Sequence, residues 1–445
     1  MCLAEGAGEM GDAAGETETI GPPPDRPTGA PSASGSQPLP TPAPSPTPNR
    51  GRLVSLDAFR GLTIAAMLLV NDPGRWDAVY RPLDHAEWHG WTPTDLVFPF
   101  FLFIVGITTH LSLSARQAQG EPRAALRRQI LRRAAIIFLI GLGLHGFPFY
   151  TFTDIPSAPH ADLATRMGDR LLNLRIPGVL QRIAICYLAG GLLALVTGWR
   201  AQVAVLATIL LGYWAILMLV PAPDTGATGL AAIAEPASTL AAWVDRRLFD
   251  WGQWGSHLWN QSRTWDPEGA LSTLPAIGTV ILGLLAGRWI SQDGQMGRRI
   301  ALLLAAGLAG IALGLAWGVV FPLNKKLWTS SFVLFTGGAG ATLLALIMAA
   351  IELKGWRRWA GPFRVFGVNP ILAYALSEAM ATIIYSWWTV PQAGRQVGVE
   401  LWVTDAVFSP WLPAKLASLA FALFYVACVF VVMRVLYTRG LILKV

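Results

Sequence analysis

SLDAFRGLTIAAMLLVNDPGRWDAVYRPLDHAEWHGWTPTDLVFPFFLFIVG, residues 55–106, sets two apolar runs on either side of a short polar segment. The segment carries His85 and His89 beside Asp84, Glu87 and Asp95, and the first run carries Asp57 and Arg60 near its start. Both runs approach the roughly 20 residues that an apolar helix needs to cross a bilayer. Ionisable groups within such runs are costly and mark functional positions. The stretch therefore reads as a helical hairpin through a membrane, with its chemistry in the turn.

Outward from the hairpin, the composition carries the same reading along the chain. Of 445 residues, 53% are hydrophobic and 14% charged, whereas a soluble domain carries about 25% charged residues. Long apolar runs recur throughout, which predicts an all-α, polytopic integral membrane protein with about ten spans. The formal charge of +7 comes mostly from arginines in short connections. That pattern orients a membrane protein and does not indicate a nucleic-acid partner. Cys2, Cys186 and Cys428 are far apart, so neither a zinc-ligand spacing nor a disulfide framework follows. Abundant Arg, Ala, Gly and Pro point to a GC-rich bacterial genome, and so to a bacterial inner membrane.

Residues 1–20 have no basic start and no apolar core of a signal peptide, and residues 22–48 are dense in Pro, Ser, Thr, Ala and Gly. Residues 1–50 are expected to be a disordered cytoplasmic tail, with the transmembrane domain at 51–445. The expected spans are 55–71, 94–115, 130–149, 177–197, 201–220, 272–290, 299–321, 328–352, 364–386 and 412–436. With ten spans, Arg116 to Arg133, Arg288 to Arg299, and Lys354 to Arg364 fall on one side with both termini. The positive-inside rule makes that side cytoplasmic and turns the His85 loop outward.

PLDHAEWHG, residues 82–90, begins with Pro and ends with Gly, which predicts one or two helical turns with His85 and His89 on one face. A zinc-protease motif needs Glu directly after the first His, and His-Ala-Glu-Trp-His fails it, so no metal is expected. The histidines either hydrogen-bond at the interface or supply a catalytic base. Thr92-Pro93-Thr94-Asp95 reads as a helix start in which Asp95 caps, orients a histidine, or does both. Asp57 and Arg60 form a local ion pair or contact a substrate. Arg182 and Glu378 lie deep in their spans, the latter downstream of Asn369-Pro370, where charges face one another or a wet cavity. Asp266 and Glu268 stand in a turn before the sixth span. The connection at 221–271 holds Trp243, Trp251, Trp254, Trp259 and Trp265, which suits an interfacial helix among membrane lipids or an aromatic wall for a sugar or lipid. Gly337-Gly338-Ala339-Gly340 permits close packing within or between subunits, so a homodimer is open.

SLDAFRGLTIA, VNDPG, DHAEWHGWTPTDLVFPFFLFIVG, RIPGVLQRIAICYL, WDPEGALSTLPAIGTVILGLLAG, NKKLWTSSFVLFTGG and FGVNPILAYALSE occur in this order. Together they resemble the membrane acyltransferase family of heparan-α-glucosaminide N-acetyltransferase, over about residues 52–440. The resemblance implies acetyl-CoA as donor, an amino sugar or glycan terminus as acceptor, and transfer across the membrane. It places the active histidine on His85 and an active-site asparagine on Asn71. His89 stands where the lysosomal members have Asn, and so takes a supporting role.

The CoA phosphates need cations on the inner side, where Arg60 and the Arg127–Arg133 cluster are expected. His85, Asn71, Asp95 and Asp266 are expected near the outer side, with Arg182, Asn369 and Glu378 along the route between, and Glu268 is a further candidate for substrate or CoA binding. The competing class is a transporter or flippase for a lipid-linked or amphiphilic solute, motivated by the charges at Asp57, Arg60, Arg182 and Glu378.

Overall fold

A computed structural model describes residues 53–151, 155, 158, 160–392 and 394–442. The tail expected to be disordered, 1–50, lies outside the described residues. In chain order the helices are α1 (Val54–Asn71), α2 (Val97–Ala118), α3 (Arg123–Gly146), α4 (Leu163–Leu172), α5 (Val179–Val196), α6 (Trp199–Leu219) and α7 (Leu240–Phe249). There follow α8 (Ala270–Ile290), α9 (Met296–Gly318), α10 (Ser330–Met348), α11 (Ala360–Val368), α12 (Pro370–Ala381), α13 (Val399–Val403) and α14 (Ala414–Thr438). A short antiparallel hairpin, β1 (Thr389–Gln392) with β2 (Arg395–Gly398), stands between α12 and α13.

Among the described residues, nine helices are long and apolar enough to cross a bilayer. A tenth span exists only if α11 and α12 are taken together, and these are bent by 83°. The uninterrupted ninth span expected at 364–386 is thus corrected to a broken one. Proline has no N–H and disfavours helical dihedrals in the residue before it; Asn369, ahead of Pro370, sits at φ −125°, ψ 58°. A second correction concerns Arg123 to Arg133, which form the opening turns of α3 rather than a connection. Arginine is a good helix former, and Pro122 stands at the N-cap.

Burial separates inner from outer helices. In α2, α8 and α10, 67% of the apolar window is buried, against 28% in α3 and α6 and 22% in α9. The inner trio therefore carries the core, and the outer helices turn apolar surface toward the bilayer. The α2–α8 contact is backbone on backbone. A Cβ on Gly106 would lie 2.1 Å from the Val280 carbonyl oxygen, and one on Gly283 would lie 2.1 Å from that of Phe103. Glycine there lets two core helices touch.

The connection from 220 to 269 is not one interfacial helix. It holds the ten-residue α7 and several single turns, and α7 packs against α8. Thr239 caps α7 by accepting from the Ala242 N–H at 3.0 Å. The buried Asp245 accepts from the Ala270 N–H at 2.8 Å, tying α7 to the first turn of α8.

Candidate active site

The turn between α1 and α2 is built around one carboxylate. Asp95 is 1% exposed and stands in a single-turn start, Pro93–Leu96, ahead of α2. Its Oδ2 accepts the Thr92 N–H at 3.0 Å and the Ala86 N–H at 3.1 Å. This is the expected cap. Its Oδ1 remains for the His85 ring, 2.8 Å from Nδ1. One residue therefore closes the helix and aims the imidazole. The helical turns expected over 82–90 do not form. Only Arg81–Leu83 makes a turn, because the backbone at Ala86 and Thr92 is committed to Asp95 instead of to a helical ladder. His85 and His89 consequently share no face, and His89 is exposed, its Nδ1 3.3 Å from Asn324 Nδ2.

Lys325 enters from the connection between α9 and α10. Its Nζ is 3.1 Å from His85 Nδ1 and 3.5 Å from Asp95 Oδ1. Burial, with the Lys325 charge adding to it, holds the His85 pKa below its ordinary 6.5, against the pull of Asp95 and Asp84. Burial likewise lowers the pKa of Lys325, against Asp95 and Glu268. The His85 side chain keeps 36% of its surface open, and this surface faces a cavity of about 340 Å³. With Nδ1–H donated to Asp95, Nε2 presents a lone pair suited to a general base.

The far wall of the cavity is an ion cluster. Arg175 donates from Nε to Asp266 Oδ2 at 2.9 Å, and from Nη2 to Asp266 Oδ1 at 2.6 Å and Glu268 Oε2 at 2.5 Å. Burial works against the Arg175 charge, and the two carboxylates more than offset it. Glu268 and Arg175 line the cavity; Asp266 is buried behind them and holds the guanidinium. Trp88, Trp259, Trp328, Asn71 and Lys326 also line it. Trp265 packs edge-on to both Trp88 and Trp259, with ring centroids 5.7 and 5.3 Å apart. The 221–271 connection thus delivers an indole to the cavity, which favours the aromatic-wall reading at Trp259.

A second cavity of about 410 Å³ opens near the other end of α1, lined by Arg60, Arg133, Tyr187, Thr108 and Asn369. Of the arginine cluster, Arg133 reaches it, while Arg127 lines a separate groove with Arg123. Arg133 lies over the Tyr187 ring at 5.0 Å, and its buried Nε has no hydrogen-bond partner among the described residues. On α2, Phe98 lines the first cavity and Phe101 the second; on α5, Val179 lines the first and Ile183 the second. At 1.5 Å per residue, about one helical turn separates the two.

The remaining expected residues divide by position. Arg60 lies 3.5 Å from Asp57 and donates to the Gly367 carbonyl at 3.0 Å, so the local pair forms. Arg182 is 1% exposed and lines neither cavity. It donates to Ser272 Oγ at 2.5 Å and lies 5.1 Å above the Trp328 ring, joining α5 to α8 beneath the site. Glu378 stands one turn along α12 from Tyr374, does not meet Arg182, and lines neither cavity. Asn369 donates to the Leu441 carbonyl at 2.9 Å and belongs to the second cavity. Arg175, Lys325 and Lys326 escaped the sequence reading because they stand in connections, where a cation passes for an orientation charge. Their signal was position: Arg175 opens RIPGVLQ, and the lysines sit in NKKLW.

A family model described as heparan-alpha-glucosaminide N-acetyltransferase, catalytic, matches residues 52–311. The chain is 28% identical to human heparan-alpha-glucosaminide N-acetyltransferase over 408 residues, covering 80% of this chain and 58% of that protein. It is 27% identical to the mouse protein of the same name over 406 residues, covering 80% and 59%. The chain therefore spans somewhat over half the length of the curated relatives it matches. The matched family region includes His85, Asp95, Arg175, Asp266 and Glu268 and ends before Lys325.

Proposed function

We propose, from the premise that the chain belongs to the heparan-alpha-glucosaminide N-acetyltransferase catalytic family, that it moves an acetyl group from acetyl-CoA to an amino sugar across a membrane. The observation that carries this reading is the pair of cavities. One holds the His85–Asp95 dyad, the other is lined by arginines, and about one helical turn divides them.

In this reading the donor's phosphates meet Arg60 and Arg133 at the cytoplasmic side, where α12 also begins; helix N-termini favour anions. The thioester arm extends toward the first cavity, which faces outward. The acceptor's pyranose ring lies against Trp88 or Trp259, since flat aromatic faces suit its apolar side. His85 Nε2 removes a proton from the acceptor amine as the nitrogen attacks the thioester carbonyl. The new C–N bond replaces the C–S bond, and the imidazolium returns its proton to the departing thiolate. Asp95 fixes the ring, and Asn71 hydrogen-bonds polar groups at the reacting centre. Asp57, Asp266 and Arg182 act by holding Arg60, Arg175 and the α5–α8 contact, while Glu268 faces the acceptor. An acetyl-His85 relay is the two-step version of the same reading.

The transporter class drew on four charges within spans. Asp57 and Arg60 partner each other, so this pair needs no travelling solute, while Arg182 donates to Ser272 and the Gly269 carbonyl and keeps a buried Nη1 without a hydrogen-bond partner among the described residues. The test is purified protein with labelled acetyl-CoA and a panel of amino sugars. Acetylated product is expected, and His85→Ala should lower its rate at least ~10²-fold. Label retained on His85 without acceptor selects the relay, and full transfer by the variant refutes both versions.

A further inference from the structure

His85 Nδ1, Asp95 Oδ1 and Lys325 Nζ form a triangle with sides of 2.8, 3.1 and 3.5 Å. An aspartate behind a histidine by itself favours the imidazolium, because the cation gains the nearby anion. At this site such a gain would defeat a base, which must be neutral when the amine arrives. Lys325 reverses the balance. Its ammonium is within ion-pair reach of the same carboxylate oxygen, and an imidazolium would place a second cation 3.1 Å from it.

The other charges around the ring do not duplicate this effect. Asp84 accepts the His85 backbone N–H at 2.7 Å and draws the ring toward protonation, as does Asp95. Glu87 lies in the same loop, its carbonyl accepting from Lys326 Nζ at 2.6 Å. Arg175 is compensated across the cavity by Asp266 and Glu268. Lys325 is the cation that lies against the ring itself, and with Nδ1–H turned to Asp95 both groups are donors, so the lysine acts on the ring through its charge and not through a hydrogen bond. The backbone holds it there: Leu327 N–H donates to Asn324 Oδ1 at 2.8 Å, and Gly90 N–H donates to the Leu323 carbonyl at 2.8 Å, joining the lysine's connection to the histidine's.

We propose that Lys325 is a positioning residue that keeps His85 a neutral imidazole, with its proton on Nδ1 toward Asp95 and its lone pair on Nε2 toward the cavity. The lysine contacts no reacting atom in this role and acts through the ring. The inference deepens the acetyltransferase reading and rests on it for its catalytic meaning, whereas the protonation behaviour of His85 stands apart from any reaction.

Two measurements test it. Carbethoxylation of His85 by diethylpyrocarbonate, followed by peptide mass spectrometry across pH, reports the ring's titration without any substrate. The wild-type protein is expected to titrate below the ordinary histidine range. Lys325→Met should move the midpoint up by about one pH unit or more, and Lys325→Arg should restore it. In acetyl-transfer assays the acidic limb of the kcat/KM profile should move upward by the same amount, since a ring with a raised pKa is protonated, and idle, at a higher pH. Lys325→Gln serves if the methionine variant does not fold. A wild-type midpoint at or above the ordinary value, or a midpoint unmoved in the variants, overturns the proposal. The predicted titration without acetyl transfer in the wild type leaves the proposal standing and refutes the enzyme assignment.

Discussion

At the scale of single residues, the site turns on how Asp95 distributes its two oxygens. Oδ2 is spent on the Thr92 and Ala86 N–H groups, and Oδ1 on the His85 ring. An Asp95→Asn variant keeps one acceptor oxygen but removes the anion. We expect acetyl transfer to fall about 10²-fold, mostly in kcat. Its remaining activity should show an acidic limb displaced to lower pH, because the charge that favoured the imidazolium is gone. Lys325→Met displaces the limb in the opposite direction, so the two profiles, measured side by side, separate the anion's effect from the cation's. Asp95 and His85 were legible because a cap motif and a histidine stood together in one polar turn. Lys325 was not, since 240 residues of chain separate it from His85.

At the scale of elements, the junctions between helices set the geometry. The 83° bend between α11 and α12 follows from Asn369-Pro370, and it brings Asn369 to the second cavity. The junction of α7 with α8 depends on Asp245, whose pKa burial pushes up to about 7 against the Ala270 N–H that it accepts. A folded-state pKa above the unfolded value means that this group's contribution is fully present below about pH 4 and is lost as pH rises through 7. Between those limits the linked stability falls by about 1.4 kcal/mol per pH unit for one such group. Thermal unfolding in detergent should show Asp245→Asn losing less stability than the wild type from pH 5 to pH 7. Parallel curves would refute the assignment. The Trp-rich connection could be read for composition but not for path, because loops take their course from what they pack against.

At the scale of the whole molecule, the arrangement is two cavities and a thin partition. Ile183 is 3% exposed, lines the second cavity, and stands one turn along α5 from Val179 of the first. Filling the partition should block passage while leaving both ends built. Ile183→Trp is therefore expected to keep a monodisperse elution profile yet to lose at least ~10-fold in acetyl transfer, since the added bulk enters the wall between the two cavities. Normal turnover by a well-folded variant would mean that the thioester arm takes another route.

By itself, the sequence determined the all-α membrane architecture, the positions of most spans, the cap at Thr92–Asp95 and the family. These depend on local quantities: apolar run length, the cost of exposing backbone to lipid, and turn chemistry within a few residues. Tertiary structure decided which charges share a cavity. Arg175 meets Asp266 across 91 residues and Lys325 meets His85 across 240, distances over which no periodicity or spacing carries information. It also decided that Arg182 serves the α5–α8 contact while Arg133 faces a cavity, although both are arginines in apolar surroundings. The physical reason is that hydropathy places a helix in the bilayer, whereas its rotation and neighbours are set by side-chain packing. Only packing turns the charges of separate helices toward one another.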